Sequence, residues 1–89
     1  MISVTSPCPE STIVALGLRD LPIWGCDVST FPWTYELSET CLKIDGDVTI
    51  TPEGGEPVRI KAGDLVVFAK GMKCIWDVHQ PVRKHYRFD

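Results

Sequence analysis

The sequence is poor in the residues that announce most enzyme classes. Only His79 and His85 are histidines, and neither lies in an H-E-x-x-H pattern. No Ser-His-Asp order and no phosphate-cradling glycine loop is present. No apolar run exceeds about five residues, far short of the roughly 20 that a membrane helix needs. The first residues lack a basic region followed by an apolar one, so no secretory signal is expected. Nine Lys and Arg face twelve Asp and Glu, for a formal net charge of -3, and the basic residues are dispersed. That distribution gives no electrostatic footprint for nucleic acid. The four cysteines, Cys8, Cys26, Cys41 and Cys74, are spaced 18, 15 and 33 residues apart, without a C-x-x-C pair. Such spacing argues against a disulfide framework and against a four-cysteine zinc site, and favours a reducing compartment. A cytoplasmic location is expected, or an organelle lumen had a transit peptide been removed.

What is present is the composition of a single globular domain: 89 residues, 44% hydrophobic and 24% charged. No repeat, linker or low-complexity stretch divides it. Residues 1–30 read as an N-terminal arm and lead-in, with Pro7 and Pro9 in an extended segment and Ile13 to Leu18 wrapping over the rest. Residues 31–89 carry the punctuation of an all-β domain. Thr40 to Ile44 forms a strand, with Asp45-Gly46 as a tight hairpin turn. Val48 and Ile50 share a face, as do Val58 and Ile60. Glu53-Gly54-Gly55-Glu56, Lys61-Ala62-Gly63-Asp64 and Ala69-Lys70-Gly71-Met72 are turns. Leu65-Val66-Val67-Phe68 is continuously apolar and predicts a strand buried on both faces. Cys74, Trp76 and Val78 alternate onto one face. A turn at His79-Gln80 precedes a last strand, Val82 to Phe88, opened by Pro81. Six or seven short strands fit a sandwich or small barrel.

Two spaced motifs narrow this to one resemblance. Glu39, six residues and Gly46 match the second half of the first signature of the cupin superfamily. Gly63, five residues, Ala69-Lys70-Gly71, two residues and Cys74 keep the spacing of the second. The chain therefore resembles a cupin, which implies a double-stranded β-helix, or jelly-roll barrel. Trp33 and Tyr35 stand at the positions of the first motif's two histidines, Cys74 replaces the histidine of the second, and Val78 replaces its asparagine. More narrowly, Pro22-Ile23-Trp24, Trp33-Thr34-Tyr35, Glu39-Thr40-Cys41, Gly63-Asp64-Leu65-Val66, Lys70-Gly71, Cys74-Ile75-Trp76 and Pro81-Val82-Arg83-Lys84-His85-Tyr86 are similar to the small single-domain group named after the cupin domain of (S)-ureidoglycine aminohydrolase. That resemblance implies a manganese enzyme with histidine ligands in a longer, two-barrel chain. This chain lacks those histidines at the motif positions.

The motif places Glu39 inside the barrel, where a carboxylate must be paired, protonated or bound to a cation. Its candidate roles are metal ligand, acid or base, and substrate anchor, against a plain ion pair with Lys or Arg. Cys74 is a candidate second ligand, suited to zinc, iron or copper, or a packed free thiol. Lys43 shares the parity of Glu39 and Cys41 and can point inward with them. Tyr35 and Lys43 are candidates to orient a substrate. Trp33, Trp76, Cys41 and His85 are candidates to line a pocket, the aromatic residues reading equally as a filled core. Trp24 reads as a core plug from the arm. His85 alternates with Arg83 and Arg87. It completes a site with Glu39 if that face looks inward, and is otherwise a surface histidine.

Three readings remain open. The leading one is a barrel that binds a small polar metabolite, with or without a divalent metal such as Mn, Zn, Fe or Ni; its enzyme version is a hydrolase or lyase for a small nitrogenous or carbonyl compound, assisted by that metal or by a carboxylate. The second is a module that binds a small polar metabolite without catalysis or metal. The third is a structural or interaction barrel filled by its own side chains. The expected partners are a small molecule and a second copy in a homodimer, with neither nucleic acid nor membrane.

Overall fold

The computed structural model describes residues 2–89. The elements run β1 (Ile2–Thr5), α1 (Glu10–Ala15), a 3-10 turn (Leu18–Asp20), β2 (Ile23–Cys26), β3 (Ser29–Thr34), β4 (Glu39–Pro52), β5 (Val58–Lys61), β6 (Leu65–Phe68) and β7 (Lys73–Phe88). All seven strands belong to one antiparallel sheet. Its path is β1-β6-β4-β7-β2, with β3 added to β7 and β5 to β4.

The spine is the β4–β7 ladder, which is bulged near its middle. Register shifts fall between Lys43 and Asp45, Asp45 and Asp47, and Asp47 and Val48. Such irregularities bend a sheet and increase its twist. On one side of the bend, residues 39–42 of β4 pair with β6, and residues 39–43 pair with the end of β7. On the other, residues 47–50 pair with β5, and the start of β7 pairs with β3. The two halves close on one core, where Val66, Phe68 and Val82 meet Val48, Ile50, Ile60, Trp76 and Val78. Burying a side chain of this size contributes about 1.5–3 kcal/mol.

Two predicted turns are instead part of this spine. Asp45-Gly46 makes no hairpin, because β4 runs through it. Gly46 adopts φ 96°, and a Cβ there would sit 2.3 Å from the Pro81 carbonyl oxygen. The glycine thus serves close backbone approach at the bulge. β7 likewise continues through His79-Gln80-Pro81. Pro81 falls where the ladder is irregular and a missing N–H costs little. The turns at 53–56, 61–64 and 69–72 are found as expected. In the second of these, the buried Asp64 carboxylate accepts the Lys61 N–H at 2.8 Å and the Ser6 hydroxyl at 2.5 Å.

β6 is less buried than its apolar sequence suggests. Val66 and Phe68 are fully buried, whereas Leu65 and Val67 are half-buried on the opposite face. That outer face is partly covered by the arm, where Cys8, Ile13 and Leu18 pack on Leu42, with Leu21 and Leu65 at the edge. Among the described residues, no helix is long and apolar enough to cross a membrane.

Candidate functional site

One mouth of the barrel opens into a pocket of about 280 Å³. Each contributing strand places its inward parity there. β4 brings Glu39 at its first residue, and β3 brings Phe31 and Trp33. β7 brings Trp76 from one half, and Lys84, Tyr86 and Phe88 from the other. Trp24 of β2 completes the wall. Tyr35 follows β3 directly and is pinned by backbone bonds to the 69–72 turn, its N–H on the Met72 carbonyl and its own carbonyl accepting from Gly71. Trp33, Phe88 and Trp24 form an exposed rim, while Tyr35, Glu39, Trp76 and Lys84 lie buried below.

The walls are built by ring packing. Tyr35 stacks on Phe68 at 4.7 Å between centroids, and Phe31 stacks on Trp76 at 5.9 Å. Trp33 meets the edge of Tyr35 at 6.5 Å. Within this aromatic enclosure, Lys84 Nζ lies 2.8 Å from Glu39 Oε2. The same ammonium sits 4.7 Å from the Trp76 ring centre, 5.0 Å from Trp24 and 5.8 Å from Phe68. Glu39 and Lys84 are only 2% and 6% exposed. The carboxylate and the ring faces jointly hold a charge that would otherwise be costly to bury.

Two further polar atoms are left over. Tyr35 Oη and Trp76 Nε1 are buried and have no hydrogen-bond partner among the described residues. Burial, and then the negative charge of Glu39, push the Tyr35 phenol above its ordinary value. The Trp76 indole pulls the other way without reaching hydrogen-bond geometry. Tyr35 therefore stays a neutral O–H, able to donate, and Trp76 can only donate.

The sequence-predicted residues divide. Glu39, Tyr35, Trp33 and Trp76 line the pocket together. Lys43 is buried, but its ammonium donates to the Gly46 carbonyl at 2.9 Å and to the Ile60 carbonyl, beside the bulge and away from the pocket. Cys41 is buried outside the pocket lining, its thiol pushed up to about 12 chiefly by burial. Cys74 Sγ turns toward the Trp33 carbonyl, 3.7 Å away, and burial raises its thiol too. His85 faces away from the pocket and bonds the Leu21 carbonyl through Nδ1 at 2.9 Å. His79 is exposed and reaches Thr49 Oγ1 at 2.9 Å.

Sequence reasoning missed Lys84, Tyr86, Phe88 and Phe31, and read the rim residue Trp24 as a core plug. The signal for the first three was the opposite parity of β7. Lys84, Tyr86 and Phe88 alternate with Arg83, His85 and Arg87, and two aromatics on one parity mark the face that is covered.

Glu39 is engaged by an ammonium, and Cys74 lies outside the pocket. Among the described residues, no three His, Cys, Asp or Glu side chains are grouped so as to hold a metal ion.

Residues 14–86 match the family model of the EutQ-like cupin domain. The fold is similar to that of a DUF861 family protein from Thermotoga maritima, with TM-score 0.96, 38% identity and full coverage of both chains. It is also similar to a putative ethanolamine utilization protein Q from Salmonella typhimurium (TM-score 0.67, 29% identity), covering 74% of this chain and 53% of that one. The EutQ protein of Clostridium difficile gives the same TM-score and identity, over 74% of this chain and 52% of its own length. This chain thus spans about half the length of those two relatives. No curated protein matches it.

Proposed function

The chain belongs to the EutQ-like cupin domain family, and on that premise we propose that its barrel binds a small organic molecule with an apolar body and a hydrogen-bond-accepting oxygen. The observation that carries this reading is the pair of buried, unpartnered donors, Tyr35 Oη and Trp76 Nε1, on two residues that line an aromatic-walled pocket. A buried donor left unmet costs about 1–3 kcal/mol. An incoming carbonyl, carboxylate or hydroxyl oxygen removes that cost, while the ring faces take the apolar body. The pocket, about 280 Å³, sits at the small end of the roughly 300–1,000 Å³ typical of ligand sites, which favours a small metabolite. The hydrolase chemistry implied by the aminohydrolase resemblance relies on histidine ligands. Trp33, Tyr35 and Cys74 stand in their place, so the reading we favour needs no metal.

All three tryptophans of the chain, Trp24, Trp33 and Trp76, line the pocket. Intrinsic fluorescence therefore reports occupancy directly. Titration with butyrate, butanone, cyclohexanone and butanal is expected to give a saturable change with at least one of them, unaltered by EDTA. Tyr35→Phe should weaken that binding about two- to tenfold, the worth of one hydrogen bond. No saturable change with any of the four, or full affinity in both Tyr35→Phe and Trp76→Phe, overturns the reading.

A further inference from the structure

We propose that Lys84 captures carbonyl compounds covalently, its ε-amino group forming a protonated imine with an aldehyde or ketone seated in the pocket. The inference rests on the pocket reading above and adds a chemical step to it.

Lys84 stands apart from the chain's other lysines. It is the one that lines the pocket, and it does so with its charged end buried. Lys43 is as buried, but its ammonium is committed to two backbone carbonyls beside the bulge. Lys61, Lys70 and Lys73 are exposed. An amine attacks a carbonyl only after giving up its proton, and Glu39 Oε2 stands 2.8 Å from Lys84 Nζ to receive it. Tyr35 and Trp76, whose buried Oη and Nε1 have no partner among the described residues, line the same pocket as Lys84.

The step balances within the site. Lys84 passes one proton to Glu39, and the freed nitrogen pair forms a C–N bond as the carbonyl π pair moves onto oxygen. A proton shifts from nitrogen to that oxygen, giving a carbinolamine. Glu39 returns its proton to the hydroxyl, the C–O bond breaks, and water leaves. The product is a cationic C=NH⁺ group beside a Glu39 carboxylate. The charge pattern at the end equals that at the start, so the carboxylate and the Trp76 and Trp24 rings that hold the ammonium also hold the iminium. No metal and no redox partner takes part.

The test is reductive trapping on the folded, full-length protein. Butanal or butanone is added with sodium cyanoborohydride at limiting dose, followed by peptide mapping by mass spectrometry. The expected adduct is on Lys84, formed at least about tenfold faster than on Lys61, Lys70 or Lys73, as for lysines activated by a desolvated pocket. Butyrate, which fits the pocket reading but forms no imine, should protect Lys84 in the wild-type protein. Glu39→Gln should slow trapping at Lys84 by about tenfold or more, and Lys84→Arg should abolish the pocket adduct. Adducts on exposed lysines only, or Lys84 trapped no faster than they are, or trapping indifferent to butyrate, overturns the proposal. A saturable fluorescence response to butyrate or cyclohexanone without a Lys84 adduct removes the imine alone. Absence of both removes the pocket reading with it.

Discussion

Lys84 Nζ and Glu39 Oε2 lie 2.8 Å apart, on strands whose register sets Lys84 opposite Lys43 and Glu39 opposite Phe88. The pair is therefore diagonal across the β4–β7 ladder, and Lys84 reaches along the barrel to meet the carboxylate. With 8% and 3% of the two side chains exposed, little solvent screens them. Removing one partner strands the other as a buried charge, at about 3–5 kcal/mol. Glu39→Gln and Lys84→Met should each cost that much in urea unfolding. The double variant Glu39→Gln/Lys84→Met should recover most of it, because a buried pair replaced as a pair is often neutral. Strictly additive single losses would show that the two groups do not act as a pair.

Gly46 and Gly54 both have positive φ, but only Gly46 is crowded. A Cβ at Gly46 meets backbone atoms of Pro81 and Val82 at 2.3 and 2.7 Å, whereas one at Gly54 meets nothing within 4 Å. Gly54→Ala should cost only the left-handed conformational penalty, about 1–2 kcal/mol. Gly46→Ala should cost clearly more, about 2–6 kcal/mol, because the bulge must open as well. Equal losses in the two variants would contradict the role given to the bulge.

Lys43 gives the stability a defined pH dependence. Burial holds its ammonium below the ordinary lysine value, with Asp47 and Asp64 pulling it back up. Between that lowered native value and about 10.4, the unfolded chain binds more protons here than the folded one. Stability therefore rises as pH climbs through the native value and levels off near 10.4; below the native value the cost of burying the charge is paid in full. Lys43→Met should lack this rise. It should also be weaker at neutral pH by about 1–3 kcal/mol, since the Gly46 and Ile60 carbonyls lose their donor. Urea midpoints for both proteins across the alkaline range make the comparison, and parallel curves would contradict it.

Thiol labelling separates the cysteines. Cys8, Cys41 and Cys74 are buried, and Cys26 is half-buried. Burial raises the thiols of Cys74 and, to about 12, of Cys41, so neither is thiolate near neutral pH. With Ellman's reagent, Cys26 should react first, and Cys41 and Cys74 only at the rate of unfolding. Fast labelling of Cys74 in the folded protein would restore a reactive-thiol reading there.

Much of the barrel is legible in the sequence because its signals are local. Three of the turns carry their own glycines, and Cys74, Trp76 and Val78 face inward as their alternation says. The Asp45-Gly46 dipeptide misleads because a positive-φ glycine serves a hairpin and a bulge alike. Which one forms depends on a partner strand nearly 40 residues away. The site is legible in half. Glu39, Tyr35, Trp33 and Trp76 emerge from motif spacing, but the Glu39 partner does not. Lys84 lies in the last strand between Arg83 and His85, and strand parity separates an outer face of Arg83, His85 and Arg87 from an inner face of Lys84 and Tyr86. Lys43 shares the inward parity of Glu39, yet side-chain reach along the strand, which no pattern encodes, carries its ammonium to the bulge.

The most direct test of the pocket is the indole proton of Trp76, a buried donor without a partner among the described residues. Its resonance in a ¹⁵N-correlated spectrum can be assigned among the three tryptophans by its loss in Trp76→Phe. Titration with butyrate, butanone, cyclohexanone or butanal is predicted to move that signal downfield as it gains a hydrogen bond, and to do so less in Tyr35→Phe. A Trp76 indole signal unmoved by all four compounds up to their solubility would contradict a pocket built around these two donors.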